Sequence, residues 1–245
     1  MAQGGIHNRR RMDTGLRRYE GLESPQFPRR TRCGHRAHRL DTNALLFRTK
    51  GARVARTQAA DYDERRMAVL DKAAELYAHS GFHGCSIADL AAACGMSKSL
   101  LYHYFASKED ILFEIMDGHI GALAEVADAY RGEADPVARF GKLTHGFLEL
   151  YADASARHRV LVNDLDKLPE ERRRHIVDTE RMLVDLVAHT IGEIAPALSK
   201  QDARVRAMLY FGMINWSHTW FRPTGRFTVE ALAGTVIDQM LDGLR

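Results

Sequence analysis

Residues 85–110 read CSIADLAAACGMSKSLLYHYFASKED, and this stretch decides the fold. Ser86 followed by Asp89 is the capping-box pattern that begins a helix. Gly95 lies where a short helix must turn sharply, and Ser97 is placed to cap the next helix. Two short helices joined by a glycine-containing turn are typical of a helix-turn-helix unit.

A helix precedes this pair and a longer one follows it. Apolar residues at i, i+3, i+4 and i+7 predict an amphipathic helix that begins near Asp63 and stops at Gly81, after which Phe82 folds back onto its apolar face. Ser107 repeats the capping pattern, and its helix runs to about Tyr130. Because no β-alternating run competes after residue 60, the sequence predicts an all-α fold.

The remaining sequence predicts a second helical body. Helices are expected after Pro136 and Pro169, and the segment 195–200 and the Arg-Pro-Thr-Gly break at 222–225 separate the last ones. The segment 202–221 is apolar around much of its circumference, so we expect it to be buried on two sides.

Composition restricts the class of protein. The chain has 245 residues, of which 45% are hydrophobic, but no apolar run approaches the ~20 residues that span a bilayer. Three cysteines are too few for a disulfide framework, so we expect a reducing, cytoplasmic setting and no membrane contact. Cys33 with His35 and His38 lacks a fourth ligand for a zinc site, and we predict no metal and no cofactor.

Basic residues are concentrated at the N-terminus. Residues 1–60 contain 14 Lys and Arg against 4 Asp and Glu, although the whole chain carries only +3. Arginine pairs occur here without the apolar segment of an export signal. We expect a disordered basic extension, which either adds non-specific attraction to phosphates or results from a start site assigned too far upstream.

The polar face of the helix from Ser97 to Phe105 indicates a function. Lys98, Ser99, Tyr102 and His103 lie off its core side, and none is acidic. Such a face suits phosphates and base edges in a DNA major groove. The alternative is an ordinary solvated surface.

Residues 64–112, which include VLDKAAELYAHSGFHGCSIADLAAACGMSKSLLYHYFASKEDIL, resemble the DNA-binding domain of the TetR family of bacterial transcriptional regulators. The resemblance implies a helix-turn-helix domain at 61–106 and a helical ligand-binding and dimerisation domain at 107–245. It also implies a homodimer that reads a palindromic double-stranded operator. Ala88 and Ser99 depart from the family pattern, which has a basic or polar residue and glycine there. By position, the residues expected at bases are Lys98, Ser99 and Tyr102, and those expected at the DNA backbone are Ser86, Leu100, His103, Tyr104 and Lys108.

The C-terminal domain has a second resemblance. RVLVNDLDKLPEERRR at 159–174 and FGMINWSHTWF at 211–221 resemble TetR-type regulators that respond to acyl-CoA thioesters. Arg157, Arg159 and the Arg172–Arg174 cluster would meet the CoA phosphates. The tryptophans could equally be dimer core, and Arg172–Arg174 could equally be a solvated helix face. The predicted ligand residues are Arg159, Asn163, Asn215, Trp216 and Trp220.

The resemblances imply a dimeric repressor that is released from its operator by a small ligand such as an acyl-CoA thioester. Two other classes of protein compete with this hypothesis. An enzyme is disfavoured, because the helical histidines accompany no nucleophile elbow, phosphate-binding glycine loop or metal motif, and we predict no catalytic residue. A helical small-molecule binding module without DNA affinity stays open, because residues 61–115 carry 5 Lys and Arg against 9 Asp and Glu.

Overall fold

A computed structural model describes the backbone of residues 49–244 and the side chains of residues 61–244. Within 49–244 the backbone forms nine α-helices, two short 3₁₀ turns and no strand, as the sequence predicts. The helices are α1 (Thr49–Gly84), α2 (Ile87–Ala93), α3 (Lys98–Tyr104), α4 (Lys108–Tyr130), α5 (Pro136–Asp153), α6 (Ser155–Asp164), α7 (Glu170–Ile194), α8 (Lys200–Trp216) and α9 (Val229–Asp242), and the 3₁₀ turns are Leu165–Lys167 and Ser217–Thr219. Within this part of the chain, none of the helices has the length and hydropathy needed to cross a membrane. Cys33, His35 and His38 and the rest of the N-terminal extension lie outside the described side chains.

Local signals set the three helices of the N-terminal head, α1 to α3. Ser86 and Asp89 form the predicted capping box of α2, and the Ser97 hydroxyl accepts the Leu100 N–H at the start of α3. Gly95 adopts φ +65° in the turn between them, a conformation that favours glycine. These predictions are confirmed.

The start of α1 differs from the prediction. The helix begins at Thr49 rather than near Asp63, because the residues from 49 to 62 contain no proline and are rich in alanine and arginine, which favour helix. The apolar pattern starts only further along, so periodicity could not show the earlier turns. Near its C-terminal end, Gly81 has φ +74°, which interrupts the helix at the predicted position.

A compact apolar core holds the head together. Leu90 of α2, Leu101 of α3 and Phe105, which follows α3, are buried, as is the apolar face of α1, and Phe82 packs on the Tyr77 ring as predicted. Each fully buried side chain of this size contributes ~1.5–3 kcal/mol. The core therefore fixes which side of α3 faces solvent.

The body consists of α4 to α9. Asp135 caps α5 at Pro136, Pro169 precedes α7 and Thr228 caps α9, all at predicted positions. Phe140 and Phe147 of α5 lie at the centre of the body, where α5 packs against α4, α7 and α9. In contrast to the predicted helix to 221, α8 ends at Trp216 and a 3₁₀ turn follows.

Helix α6 connects the body to the head by supplying hydrogen-bond partners to the interrupted end of α1. In a regular helix the Phe82 N–H would donate to the Ala78 carbonyl. Here the Phe82 N–H donates to Asp164 Oδ1 at 3.4 Å, and Arg159 Nη1 donates to the Ala78 oxygen at 3.4 Å. Both side chains belong to α6, so any movement of α6 alters the end of α1.

Candidate nucleic-acid interface and effector region

The exposed face of α3 is the candidate DNA-reading surface. Leu101 and Phe105 anchor the helix from its buried side. Lys98, Ser99 and His103 are exposed, and the Tyr102 side chain is 52% exposed. Of the predicted backbone contacts, Leu100 is also exposed and Tyr104 is half-buried. Among the described side chains of α3, this face thus offers one cation, hydroxyl and imidazole donors, and no acid.

Ser86 lies at the start of α2, in the capping box. Its hydroxyl donates to Asp89 Oδ2 at 2.6 Å and accepts from the Asp89 N–H at 3.2 Å. The hydrogen bonds that Ser86 donates to the carboxylate lower the pKa of Asp89 below its usual value. The exposed hydroxyl is therefore held in one orientation beside the turn that leads to α3.

An aromatic cluster that sequence patterns did not indicate supports the far end of α3. The Tyr62 ring of α1 lies 4.8 Å from the Tyr104 ring and 6.1 Å from the His103 ring, centroid to centroid. Tyr62 precedes the apolar stripe of α1, so periodicity gave no reason to select it. Its contacts hold two predicted backbone-contacting side chains in place.

Lys108 is placed differently from the other predicted DNA contacts. Its Nζ donates to the Phe82 carbonyl and lies 4.0 Å from the centre of the Phe82 ring and 5.6 Å from that of Tyr77. The lysine therefore joins α4 to the end of α1. A contact between Lys108 and DNA stays a prediction.

The five predicted ligand residues do not form one cluster. Trp216 and Trp220 are 65% and 53% exposed, and Asn163 is exposed on α6. The Asn215 amide oxygen accepts a hydrogen bond of 2.8 Å from the Tyr151 hydroxyl, and Arg159 lines a cavity.

Four of the five arginines proposed for CoA phosphates, all except Arg159, are engaged with carboxylates. Arg157 lies 2.7 Å from Asp71 of α1, and Arg172 pairs with Asp110 of α4. The first pair joins α6 to α1 of the head, and the second joins α7 to α4 within the body. Arg173 and Arg174 both pair with Glu170 on the same exposed helix face.

A cavity of about 270 Å³ opens beside α6. Its polar and aromatic lining comes from the consecutive helices α5 and α6 and from the segment after α8, which is far from them in sequence. Leu148 and Phe221 supply apolar walls. The polar and aromatic lining residues are Tyr151, Ser155, Arg159, Ser217, His218 and Arg222.

Behind this cavity lies a buried group of aromatic and imidazole rings. The Tyr151 ring, which lines the cavity, stacks on His158 with 3.6 Å between centroids. Burial lowers the pKa of His158 to about 3, with His119 and His218 adding to the effect. Burial, with nearby Arg157, lowers the pKa of His119 to about 4. Both imidazoles are therefore neutral near pH 7.

Comparisons with known proteins agree with this architecture. Residues 69–115 match the domain described as bacterial regulatory proteins, tetR family, and residues 133–244 match the tetracyclin repressor-like C-terminal domain. A TetR-family transcriptional regulator from Bordetella parapertussis 12822 is 37% identical, with a TM-score of 0.70 over 72% of this chain and 94% of that one. The chain belongs to the TetR family.

Other relatives of this TetR-family protein have named activities. The structure of AibR in complex with isovaleryl coenzyme A and operator DNA is 29% identical, with a TM-score of 0.65 over 71% of this chain and 97% of that chain. The transcriptional repressor KstR2 of Mycobacterium tuberculosis H37Rv is 25% identical over 194 residues, 76% of this chain and 96% of that protein. The chain is accordingly a DNA-binding transcriptional regulator rather than a helical module without DNA affinity.

Proposed function

We propose that this TetR-family protein is a homodimeric repressor that binds a palindromic operator through α3 and is released by a small effector. The observation that carries the proposal is the acid-free polar face of α3, which the buried Leu101 and Phe105 turn toward solvent. Two copies of such a helix would read two half-sites about one DNA turn apart. A regulator of this kind acts in the cytoplasm, where a bacterial chromosome lies.

The proposal of a homodimer is supported by the outer face of α8. Val205, Met208, Leu209 and Trp216 are exposed on this helix, and Leu209 is 63% exposed. The opposite face, with Ala207 and Tyr210, is buried in the body. A helix that is apolar on two sides needs a second partner, and a second copy packed in the same way satisfies both surfaces.

For the effector we propose an acyl-CoA thioester. The support is the complex of AibR with isovaleryl coenzyme A, together with the cavity beside α6. An effector can act only by binding the DNA-free arrangement of the two heads more tightly than the DNA-bound one. Since α6 contacts both the cavity and α1, it offers a physical route for this preference.

A gel-shift assay tests the proposal. The full-length protein is titrated onto the DNA immediately upstream of its own coding sequence and onto a scrambled duplex of the same length. We expect a preference for the upstream DNA that isovaleryl-CoA abolishes and free CoA does not. Equal affinity for both duplexes would contradict operator binding, whereas operator binding that no thioester changes would contradict the effector assignment alone.

A further inference from the structure

Two arginine side chains in the cavity beside α6 lack carboxylate partners. Arg159 Nη1 donates to the Ala78 carbonyl, and Arg222 Nη1 donates to the Phe221 carbonyl at 2.9 Å. Within residues 61–244 neither guanidinium group forms an ion pair, whereas the neighbouring Arg157 on α6 pairs with Asp71. Two unneutralised cations that line one cavity favour an anion there.

The other lining residues describe the rest of the ligand. Ser155, Ser217 and His218 add hydrogen-bonding groups beside the arginines, and Leu148 and Phe221 supply an apolar wall. The volume of about 270 Å³ lies just below the range of typical small-molecule sites, ~300–1,000 Å³. The cavity therefore suits a compact organic anion, or the anionic part of a larger one.

We infer that this cavity is the site of an organic-anion effector and that Arg159 transmits its binding to the head by leaving the Ala78 carbonyl. The inference rests on the proposed function and names the residues of its effector site. Its ligand chemistry is a carboxylate or phosphate group attached to a short apolar part. A free acid would supply the carboxylate, whereas its CoA thioester, in which that carboxylate is consumed, would supply the phosphates of CoA.

The exchange of partners follows from hydrogen-bond strength. The Arg159 bond to Ala78 is long, 3.4 Å, and its acceptor is a neutral carbonyl. A guanidinium group gains more from an anionic oxygen than from a neutral carbonyl, because the hydrogen bond shortens and the opposite charges attract each other. An anion in the cavity would thus draw Arg159 away from α1.

The consequence for the head follows from the interruption at Gly81. The Phe82 N–H, which would normally satisfy the Ala78 carbonyl, is directed to Asp164 instead. Helix α6 provides two hydrogen bonds to the end of α1, one from Arg159 and one to Asp164. When Arg159 turns to the ligand, only the bond to Asp164 is left. The position of the head relative to the body is then less restrained, which disfavours the DNA-bound spacing.

Thermal unfolding tests the site without DNA. The full-length protein is heated with isovalerate, isovaleryl-CoA, CoA or pyrophosphate at equal ionic strength, with sodium chloride as the reference. At ten times the dissociation constant a bound anion should raise Tm by ~3–6 °C. Arg159→Gln and Arg222→Gln should each abolish most of this increase, and Arg226→Gln, on the same loop but outside the cavity lining, should retain it.

The four ligands distinguish the source of the anion. A response to isovalerate alone identifies a free acid, and a response to isovaleryl-CoA that exceeds that to CoA identifies the thioester. If none of the four ligands raises Tm above the chloride reference, or if Arg159→Gln responds like the wild type, the assignment of this cavity as an anion site is contradicted.

Operator binding tests the role of Arg159. Without any ligand, Arg159→Gln should weaken binding to the upstream DNA by about 5-fold or more, because the guanidinium group no longer holds the Ala78 carbonyl. Arg222→Gln should bind like the wild type, since Arg222 does not contact α1. Equal affinities of both variants would overturn the coupling role. A wild-type protein that prefers no upstream DNA would contradict the proposed function but leave the Tm result intact.

Discussion

His119 Nε2 lies 3.2 Å from His158 Nδ1, and both side chains are buried between α4 and α6. The other nitrogen of each ring, His119 Nδ1 and His158 Nε2, has no hydrogen-bond partner within residues 61–244. Whichever ring donates across the pair, one outer N–H and one outer lone pair stay unsatisfied. Each such buried group costs ~1–3 kcal/mol, so the pair is kept at the expense of stability.

The first prediction concerns the stability of the protein in acid. The pKa values of His119 and His158 in the folded state are about 4 and about 3, below the ordinary value of 6.5. At pH values between these folded-state pKa values and 6.5, the unfolded chain binds more protons than the folded chain. Keeping the rings neutral therefore costs the folded state nothing above about pH 6.5, and the free energy of unfolding decreases as the pH falls toward 4. Urea unfolding at fixed protein concentration should show a decrease of ~2 kcal/mol or more from pH 7 to pH 5.

A variant series isolates this effect. His119→Gln should reduce the slope of stability against pH, since one buried ring no longer has to stay neutral. His79→Gln, on the exposed surface of α1, should retain the wild-type slope. If His119→Gln also retains that slope, another group causes the acid sensitivity.

The second prediction concerns Tyr102. Replacement by alanine should weaken operator binding by ~1–3 kcal/mol if the ring makes a specific contact, with an unchanged circular dichroism spectrum. Phe227, which is exposed to a similar degree but lies after α8, provides the matched control. A folded Tyr102→Ala protein with wild-type affinity would remove Tyr102 from the interface.

The third prediction concerns Tyr62. Because its ring supports Tyr104 and His103 from α1, Tyr62→Ala should weaken operator binding by ~1 kcal/mol, within the range of an aromatic pair. Tyr62→Phe keeps the ring and should bind like the wild type. A hydroxyl contact with DNA would instead make both variants equally weak.

The fourth prediction concerns the N-terminal residues. Deleting residues 1–48 leaves all nine described helices and removes 11 of the 14 basic residues of 1–60. The association constant K for operator DNA falls as the salt concentration rises. If the extension binds phosphates, the slope of log K against log salt concentration should become less negative by ~0.9 for each phosphate that the shortened protein no longer neutralises. Sequence preference should be nearly unchanged. An identical slope would show that residues 1–48 neutralise no phosphates of the bound DNA.

The fifth prediction concerns the outer face of α8. Leu209→Glu places a charge at the centre of the proposed dimer interface, where an unpaired buried charge costs ~3–5 kcal/mol. Sedimentation should then show monomers at concentrations where the wild type is dimeric, with a dissociation constant at least ~100-fold higher. Val162→Glu, on an exposed part of α6, should stay dimeric.

Local chemistry made much of the fold predictable. The caps at Ser86, Ser97 and Ser107 involve partners three residues away, so the sequence displays them directly. The end of α8 was not predictable in this way, because local side chains compete with the helix. His218 Nδ1 lies 2.6 Å from the Asn215 carbonyl and Thr219 donates to the Trp216 carbonyl, which separates Trp216 from Trp220.

The candidate sites were less predictable, because they depend on contacts between distant residues. Lys108 turns toward Phe82 of α1, and Arg222 and Arg159 line the same cavity beside α6. No spacing rule relates positions so far apart. Tyr62 lies outside any periodic pattern, and it meets its partners only because α1 and α3 pack together.

The single cation on the face of α3 has a consequence for how the protein would find its operator. Lys98 is the one Lys or Arg in that helix, and the surrounding residues 61–115 are acidic in balance. Affinity for arbitrary DNA comes mainly from phosphate neutralisation, so a head of this kind holds bulk chromosomal DNA weakly. Since a genome offers ~10⁶–10⁹ competing sites, occupancy of the operator depends on the ratio of specific to non-specific affinity. Unless the basic N-terminal extension adds phosphate contacts, fewer molecules would be sequestered along the chromosome, and a small number of copies would keep the operator filled.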